Sequence, residues 1–312
     1  MTERGIVVLG SVNMDLVLRC ARLPEPGETL MGHDFRTAPG GKGANQAVAA
    51  ARLGSAGAAP VSIIGCVGDD AFGREARAAL VRDGIAIDHL HTLDGVATGV
   101  AMIFVDDAGR NCIGLSAGAN AALTTAHVDA AGGLIDAASM LVCQLESPLP
   151  VVRHAIERAH RAGVPVLLNP APAQVLPVDL AAMVTWLVPN EIEAAILAGH
   201  HADADLDMNL ATGQLAALGF AQVIGTLGER GVCLATAAGV QMFDAQSVKA
   251  IDTTGAGDTF TGAFAVAIGE GCGAHAAIAF AQRAAALSVT RHGAMASMPT
   301  REELDRTETL TP

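Results

Sequence analysis

Aromatic residues are scarce: the 312 residues include no tyrosine, one tryptophan and eight phenylalanines. A core with so few rings has to be built from Ala, Val, Leu and Ile, as in a parallel sheet covered by closely packed helices. Hydrophobic residues make up 51% of the chain, which is enough for one large α/β domain or two small ones. The composition therefore favours an α/β fold.

Positive charge is also scarce, since 19 lysines and arginines face 32 aspartates and glutamates, for a net charge of −13. Nucleic acids and anionic membranes bind basic patches, so we expect neither as a partner. No segment reaches the roughly 18 consecutive apolar residues of a membrane span, and residues 1–10 lack the apolar core of a signal peptide. We therefore expect a cytoplasmic protein. The negative net charge does not exclude a phosphate ligand, because backbone amides bind phosphate locally.

Closely spaced cysteine pairs are missing as well. None of the six cysteines forms a Cys-x-x-Cys motif, so we expect neither a disulfide framework nor a zinc site. We predict that all six are small core residues with free thiols. They are Cys20, Cys66, Cys112, Cys143, Cys233 and Cys272.

The stretch with the most chemical information is residues 252–258, with the sequence DTTGAGD. The apolar, proline-free segment 259–268 that follows predicts a buried helix. The glycines therefore lie at a helix N-terminus, where backbone N–H groups bind anions. Asp258 has two interpretations. It is an ordinary N-cap, or it is a base that takes a proton from a nucleophile while the amides hold a transferred phosphoryl group.

Two further motifs place polar groups beside short apolar segments. Residues 6–10 predict a buried strand, and residues 10–15 (GSVNMD) follow at its carboxyl end, where open α/β sheets bind ligands. Residues 40–46 (GGKGANQ) enter a helix predicted over 47–53, without the Ser or Thr that a Walker A loop requires after its lysine. Taken alone, the first motif is about equally compatible with an ordinary turn, and a solvated position in a loop is the more common case for any single lysine such as Lys42.

The rest of the chain alternates between apolar strands and helices. Such alternation predicts a parallel sheet with its ligands along one edge. A hairpin at 99–105 and 111–116 and the extended segment 16–30 have no following helices, so we expect a small separate sheet that another copy of the chain covers. Further strands are predicted at 61–67, 140–145, 164–168, 185–188 and 222–225, a final hairpin at 231–234 and 240–243, and helices at 72–83 and 274–290.

Together, and in this order, the motifs at 10–15, 40–46 and 252–258 resemble those of the ribokinase family of sugar kinases. The resemblance covers essentially the whole chain. It implies one α/β domain over 1–312, a three-layer parallel-sheet sandwich with a small β-sheet lid built from about 14–40 and 97–118. Two lids clasp in this family, so a homodimer is implied too. The resemblance extends to LESP at 145–148, NPAP at 169–172, PNE at 189–191 and TLG at 226–228.

The resemblance also implies a reaction, the transfer of a phosphoryl group from ATP to the primary 5-hydroxyl of D-ribose. Asp258 is expected to be the general base, and the amides of Gly255, Ala256 and Gly257 are expected to form the anion hole. The expected sugar ligands are Asn13, Asp15, Gly41, Lys42, Asn45, Glu146 and Asp258 itself.

A nucleotide site and two cations are implied in the same way. Mg²⁺ is expected to enter with ATP, and K⁺ to activate the enzyme from a site beside the anion hole. The expected nucleotide ligands are Asn190, Glu193, Thr226, Gly228, Gly231, Gly257 and Gln282, with Glu193 also organising the water around Mg²⁺. The expected K⁺ ligands are Asp252, Thr254, Ser288, Arg291, Gly293 and Ser297.

Two other functions stay open. One is a related kinase for 2-deoxyribose, another sugar or a nucleoside, although Asn13 and Asp15 favour a substrate with adjacent hydroxyls. The other is a sugar-binding regulator, whose expected signature is a lost base or a broken glycine turn. Two positions depart from the family pattern: Gln282 replaces an asparagine near the adenine, and Glu229 places an acidic group close to the phosphates.

Overall fold

The structure, a computed structural model, describes residues 4–58, 60–201 and 207–308. None of the helices in these ranges has the length and apolar character needed to cross a membrane. The strands are β1 (Ile6–Leu9), β2 (Asn13–Cys20), β3 (Asp34–Gly40), β4 (Ser62–Gly68), β5 (Ala86–Leu93), β6 (Gly99–Asp106), β7 (Asn111–Ser116), β8 (Met140–Cys143), β9 (Val166–Leu168), β10 (Trp186–Leu187), β11 (Gln222–Thr226), β12 (Val232–Thr236) and β13 (Gly239–Phe243). The α-helices are α1 (Lys42–Leu53), α2 (Ala71–Arg82), α3 (Thr125–Ala130), α4 (Gly132–Asp136), α5 (Leu149–Arg161), α6 (Glu191–Leu197), α7 (Met208–Ala217), α8 (Ala256–Gly269), α9 (Ala274–Ser288) and α10 (Arg301–Glu308).

Nine strands form the main sheet, in the order β13-β12-β11-β10-β9-β8-β1-β4-β5. Neighbours from β5 to β11 are parallel, and β12 and β13 complete the edge as an antiparallel hairpin. Every residue of β1 and β8 is buried, because helices cover both faces. Alternate residues enter different cores, since Val8 belongs to the core that contains Phe264 and Leu9 to the one that contains Leu141. The predicted three-layer α/β sandwich is confirmed.

Helices α1 and α8 pack closely on one face of the main sheet. A Cβ atom at Gly262 of α8 would lie 2.6 Å from the Cβ of Ala49 in α1, so only glycine permits this approach. Each helix begins directly after a glycine with positive φ, which is 91° at Gly41 and 76° at Gly255. The packing places the two glycine-rich turns at the same edge of the sheet.

The second sheet has four strands, in the order β3-β2-β6-β7. Its central pair, β2 and β6, is parallel, and the outer strands run antiparallel to their neighbours. The sequence predicted a separate sheet from these two parts of the chain. Phe35 and Met102, on one face of this sheet, are 62% and 54% exposed, and Ile113 on the other face is 57% exposed. Both faces therefore present apolar side chains to solvent.

The structure differs from the sequence predictions in several respects. The segment predicted to be extended over 16–30 is a strand only as far as Cys20, and strand β3 was not predicted. Strand β5 was not predicted, because His and Asp side chains interrupt its apolar pattern, yet it pairs with β4 at the edge of the main sheet. The prediction that all six cysteines are core residues is wrong for Cys112 and Cys272, which are exposed. Cys112 lies on β7, where every residue is exposed, and Cys272 lies in the connection between α8 and α9.

Candidate active site

The carboxylate of Asp258 lies where the N-termini of α1 and α8 meet. Asp258 is the third residue of α8 and is 7% exposed. Asn45 Nδ2 donates to its Oδ2 at 2.9 Å, and Gln46 Nε2 donates to its Oδ1 at 2.9 Å. The fold thus joins the motif at 40–46 to the aspartate of the motif at 252–258.

Amide side chains around Asp258 form a network to which sequence reasoning gave no role. Gln46 Nε2 also donates to Asn169 Oδ1 at 3.0 Å, and Gln46 Oε1 accepts from Gln144 Nε2 at 2.6 Å. Gln46 and Asn169 lie within motifs that the sequence singled out. Gln144, which directly follows β8 and is fully buried, lies in none of them, so only the structure identifies it.

Three carboxylates lie within electrostatic reach of one another. Glu146 Oε2 accepts from the Ser11 hydroxyl, and from the Lys42 backbone N–H at 3.2 Å. Burial raises the pKa of the Asp15 carboxyl to about 6, and the negative charges of Glu146 and Asp258 add to this rise. The structure therefore brings these predicted sugar ligands together around the base candidate.

Asn13, another predicted sugar ligand, is held in place by Asn120. Asn120 Nδ2 donates to Asn13 Oδ1 at 2.7 Å, and Asn120 Oδ1 accepts from the Val12 N–H at 2.9 Å. A Cβ atom at Gly99 would lie 2.2 Å from Asn13 Oδ1, so a glycine is needed beside this pair. Sequence reasoning missed Asn120, which lies in a short 3₁₀ turn outside every motif.

Lys42, the first residue of α1, supplies positive charge among these carboxylates. Burial alone would lower the pKa of its ammonium group, but the charges of Asp258, Glu146 and Glu193 hold that pKa above its ordinary value. Burial raises the pKa of Glu193, whereas a hydrogen bond from the Asn190 N–H and the charge of Lys42 oppose that rise. Lys42 is therefore protonated at neutral pH and offsets part of the negative charge.

A cavity of about 730 Å³ reaches the N-terminus of α8, where Ala256 and Gly257 line it. Its volume lies in the range of small-molecule and cofactor sites. Apolar residues that the sequence did not identify, such as Val248 and Val289, form much of the wall, because they are brought together only by the fold. Five predicted nucleotide ligands line the cavity: Thr226, Gly228, Gly231, Gly257 and Gln282.

The other two predicted nucleotide ligands, Asn190 and Glu193, form the N-terminal cap of α6. Asn190 Oδ1 accepts from the Glu193 N–H at 2.8 Å, and the Glu193 carboxylate accepts from the Asn190 N–H at 2.9 Å and Nδ2 at 3.0 Å. A backbone bridge between Asn190 and Thr226 connects this cap to the cavity wall. The cap thus lies beside the cavity. Among the residues that the structure describes, Asn190 and Glu193 are not part of the cavity lining.

Gln282 and Glu229, the two departures from the family pattern, both line the cavity. Gln282 Nε2 donates to the backbone carbonyls of Phe243 at 3.3 Å and Asp244 at 3.1 Å. The amide nitrogen of Gln282 is therefore turned toward the protein backbone.

The predicted cation ligands lie on two segments that meet near α8. Asp252 joins them, because its Oδ1 accepts from the Thr254 N–H at 3.0 Å and its Oδ2 accepts from the Gly293 N–H at 2.9 Å. The Ile251 N–H also donates to the Val289 carbonyl at 2.7 Å. The two segments are thus tied together by one carboxylate and by backbone hydrogen bonds.

Three of the remaining predicted cation ligands have side chains engaged elsewhere. The Arg291 guanidinium pairs with Glu303 at 3.0 Å, and the hydroxyls of Ser288 and Ser297 donate to nearby backbone carbonyls at 2.8 Å. Within the described ranges, no cluster of three or more His, Cys, Asp or Glu side chains is arranged to hold a metal ion. A cation here would therefore depend mostly on backbone carbonyl oxygens.

A parallel α/β sandwich with a carboxylate at a helix N-terminus, between polar side chains and a nucleotide-sized cavity, is the arrangement of a phosphotransferase. The profile of the pfkB family carbohydrate kinases matches residues 3–301, and the chain belongs to this family of enzymes.

Similar proteins cover nearly the whole chain. Ribokinase from Schizosaccharomyces pombe is 45% identical over 308 residues, 96% of each chain, and deoxyribokinase from Salmonella typhi is 38% identical over 96% of this chain and 97% of its own. The structure of Arabidopsis thaliana ribokinase complexed with ribose and ATP is 32% identical, covers 99% of both chains and has a TM-score of 0.90.

Proposed function

We propose that the chain phosphorylates D-ribose with ATP at the primary 5-hydroxyl, giving D-ribose 5-phosphate and ADP. The observation that carries this proposal is the position of Asp258, whose carboxylate lies between polar side chains suited to a sugar and a cavity suited to a nucleotide. The similarity to named ribokinases, and to one complexed with ribose and ATP, supports this choice of substrates.

In this reaction Asp258 takes the proton of the 5-hydroxyl while the sugar oxygen attacks the γ-phosphorus and the bond to ADP breaks. A hydroxyl is a weak nucleophile, so a positioned base contributes about 10²–10⁴-fold in rate. The amides of Gly255, Ala256 and Gly257 stabilise the charge on the transferring group. The Ala256 N–H donates to the Thr253 carbonyl at 3.2 Å, so it exchanges this bond for a phosphoryl oxygen.

The sugar would be held by side chains that already surround Asp258. Asn45 Oδ1 is buried and has no hydrogen-bond partner among the described residues. An unpaired buried acceptor destabilises a protein, and a sugar hydroxyl that donates to it removes that cost. Ionised Asp15 accepts hydrogen bonds from adjacent ring hydroxyls. The proposed ligands are Asn13, Asp15, Gly41, Lys42, Asn45 and Glu146.

The nucleotide would occupy the cavity, with its phosphates directed to Gly257. Mg²⁺ supplies charge compensation for the phosphates when it enters with ATP. Both carboxylate oxygens of Glu193 accept hydrogen bonds from Asn190, so this residue suits contact with a hydrated ion through water rather than direct chelation. Thr226, Gly228, Gly231 and Gln282 would contact the rest of the nucleotide.

We also propose that K⁺ activates the enzyme from the site formed by residues 252–254 and 288–297. These segments offer one carboxylate and many backbone carbonyls, which are hard oxygen donors suited to such a cation. K⁺ supplies a fixed positive charge there when bound. Asp252 contacts both segments, through the Thr254 and Gly293 N–H groups, so it would align the carbonyls next to the anion hole.

The second sheet, we propose, acts as a lid over the sugar and pairs with the lid of a second copy in a homodimer. The exposed apolar side chains of Phe35 and Met102 support this proposal, because large exposed apolar patches mark interaction surfaces. Light scattering would detect a dimer, and Met102→Glu should shift it toward monomer. A monomeric wild-type protein at micromolar concentration would contradict the proposal.

The enzyme would act in the cytoplasm, where ATP is available.

Deoxyribose is the main alternative substrate, because a deoxyribokinase is 38% identical to the chain. Asn13, oriented by Asn120, favours ribose, since a buried polar group aimed at a hydroxyl rejects an analogue that lacks it. A non-catalytic sugar-binding regulator has less support, because the glycine turn and Asp258 are intact.

The test is ADP production by the purified protein with Mg-ATP and K⁺, across ribose, 2-deoxyribose, fructose and adenosine. We expect strong turnover with ribose alone. If turnover were higher with another acceptor, the role of Asp258 as the base would stand, but ribose would not be the preferred substrate. Ribose binding without any turnover would contradict the kinase proposal and support the regulator.

A further inference from the structure

Both oxygens of the Asp258 carboxylate accept hydrogen bonds from amide side chains of α1. Asn45 is one donor and also a proposed sugar ligand, with Oδ1 free to meet a substrate. Gln46 is the other, and its carboxamide is used entirely within the protein: two N–H groups donate to Asp258 and Asn169, and its oxygen accepts from Gln144. Gln46 therefore has a different task from that of Asn45.

The direction of these hydrogen bonds is fixed by the backbone. Asn169 Nδ2 donates to the Val188 carbonyl at 2.9 Å, which turns Asn169 Oδ1 toward Gln46. If the Gln46 amide were flipped, its oxygen would face the oxygens of both Asn169 and Asp258, which repel it. Gln46 can thus only donate to the carboxylate.

Gln144 fixes the other end of the Gln46 amide. Its Nε2 donates to Gln46 Oε1 at 2.6 Å, and its own Oε1 is buried without a hydrogen-bond partner in the described chain. That oxygen lies against Gly10, where a Cβ atom would come within 2.0 Å of it. A buried glutamine that leaves its acceptor unpaired is unfavourable for folding alone. The hydrogen bond from Gln144 Nε2 to Gln46 Oε1 therefore indicates that Gln144 serves to orient the Gln46 amide.

We propose that Gln46 and Gln144 are positioning residues that set the orientation of the Asp258 carboxylate for proton abstraction. The inference rests on the proposed role of Asp258 as the base. Gln144 acts only through Gln46, and Gln46 acts only through Asp258. Neither residue is among the proposed sugar or nucleotide ligands. Loss of either should therefore lower kcat and leave the KM values for ribose and ATP nearly unchanged.

The test compares Gln46→Met, Gln144→Met and the double variant, since methionine keeps the length of the side chain and removes the amide. Small displacements of a catalytic group are costly in rate, so we expect kcat to fall about 30-fold for Gln46→Met and about fivefold for Gln144→Met. In the Gln46→Met background, Gln144→Met should change kcat less than about twofold, because its route to Asp258 is already lost.

Thr185→Val is the matched control. Thr185 Oγ1 accepts from the Val166 N–H at 3.1 Å, so this variant also loses a polar group from the main sheet, but away from Asp258. We expect its kcat to equal that of wild type even if its melting temperature falls as far as that of Gln144→Met. The proposal would be overturned if Thr185→Val and Gln144→Met lowered kcat equally. It would also be overturned if Gln144→Met lowered kcat as much in the Gln46→Met background as it does in wild type.

Crystal structures of wild type and Gln46→Met provide a readout that does not depend on turnover. The Asp258 carboxylate should be rotated or split between two orientations in the variant and single in wild type. An unchanged carboxylate would overturn the positioning role. Absence of turnover by wild type, in contrast, would contradict the kinase assignment and leave this structural comparison valid.

Discussion

The glycine-rich turns that precede α1 and α8 are alike in sequence and opposite in environment. In the first turn, a Cβ atom at Gly43 would lie 2.6 Å from the backbone carbon of Gly10, and one at Gly41 would lie 2.8 Å from the Asn13 nitrogen. In the second turn, a Cβ atom at Gly257 would meet nothing within 4 Å. The first turn is packed against the protein. The second turn is open at Gly257, although a Cβ atom at Gly255 would lie 3.1 Å from the Ala294 Cα.

The backbone N–H groups of the two turns also differ in their surroundings. At the start of α1, the N–H groups of Lys42, Gly43 and Ala44 donate to oxygens of Glu146 and Ser11. These amides have protein partners and are not available to a phosphate. In the second turn the Ala256 N–H also has a protein partner, the Thr253 carbonyl at 3.2 Å, but Ala256 and Gly257 line the cavity, where a phosphoryl oxygen can replace that partner.

A glycine-rich turn before a helix is therefore not by itself an anion site. In the first turn, glycine lets the backbone approach β1 closely, and the turn presents the side chains of Lys42, Asn45 and Gln46. In the second turn, Gly257 leaves the backbone itself exposed to a ligand. We therefore assign sugar binding to the first turn and phosphoryl transfer to the second.

The largest expected effect is that of Asp258→Asn in the open turn. If this turn carries the chemistry, kcat should fall about a thousandfold, because the general base is lost. Binding of ribose and ATP, measured by calorimetry, should stay within a few fold of wild type. A variant with near-normal kcat would show that Asp258 is only a helix cap.

Alanine substitutions in the two turns should have different effects on the free energy of unfolding. Gly43→Ala should lower the free energy of unfolding by about 1–3 kcal/mol, because its Cβ overlaps the backbone of Gly10. Gly257→Ala should leave that free energy within about 0.5 kcal/mol of wild type and lower kcat about tenfold, because its Cβ enters the phosphate path. Urea unfolding and the ADP assay measure both effects. Equal destabilisation by the two variants would remove the distinction between the turns.

Acid pH should weaken sugar binding, because it protonates Asp15, a proposed sugar ligand. Asp15, with a pKa near 6, takes up a proton as the pH falls below 6, so the KM for ribose should rise about tenfold per pH unit there. The KM of Asp15→Asn, although higher throughout, should not show this rise. A wild-type KM that is constant between pH 5 and pH 7 would contradict the assignment.

The same group predicts a stability change of definite sign. Between about pH 4 and pH 6 the folded protein keeps the Asp15 proton that the unfolded chain, with a pKa near 3.8, has released. The contribution of Asp15 to stability is therefore lost as the pH rises through this window. Without ligand, Asp15→Asn should melt at a higher temperature than wild type at pH 7.5 and show a smaller difference at pH 4.

The smallest expected effect is that of the monovalent cation. Replacement of Na⁺ by K⁺ at constant ionic strength should raise kcat about fivefold or more, because the proposed site adjoins the open turn. The KM for ribose should change little. If K⁺ has no effect, the segments around Asp252 and Gly293 are only structural.

Local sequence signals were sufficient for much of this arrangement. The small residues before α8 predicted a helix N-terminus with an aspartate, and the strand–helix alternation predicted the parallel sheet. The contact between Asn45 and Asp258 joins positions 213 residues apart. The family resemblance assigned both residues to the sugar site, but no local pattern predicted the hydrogen bond between them.

Residues whose role depends on tertiary neighbours were missed. Nothing local distinguishes Gln144 or Asn120 from an ordinary polar residue, because each acts through a partner about a hundred positions away. Strand β5 was missed for a similar reason, since it is held by β4 and not by an apolar pattern. The exposed Cys112 shows that an edge strand can place a small apolar residue in solvent.

Phosphorus NMR of the product made from ATP and D-ribose identifies the hydroxyl that receives the phosphoryl group. Transfer to the primary 5-hydroxyl places the phosphate next to two protons, so the account predicts a phosphomonoester triplet together with ADP. A doublet would show transfer to a ring or anomeric hydroxyl and would contradict the proposed position of the 5-hydroxyl at Asp258. No ribose-dependent ester at all would contradict the reaction itself.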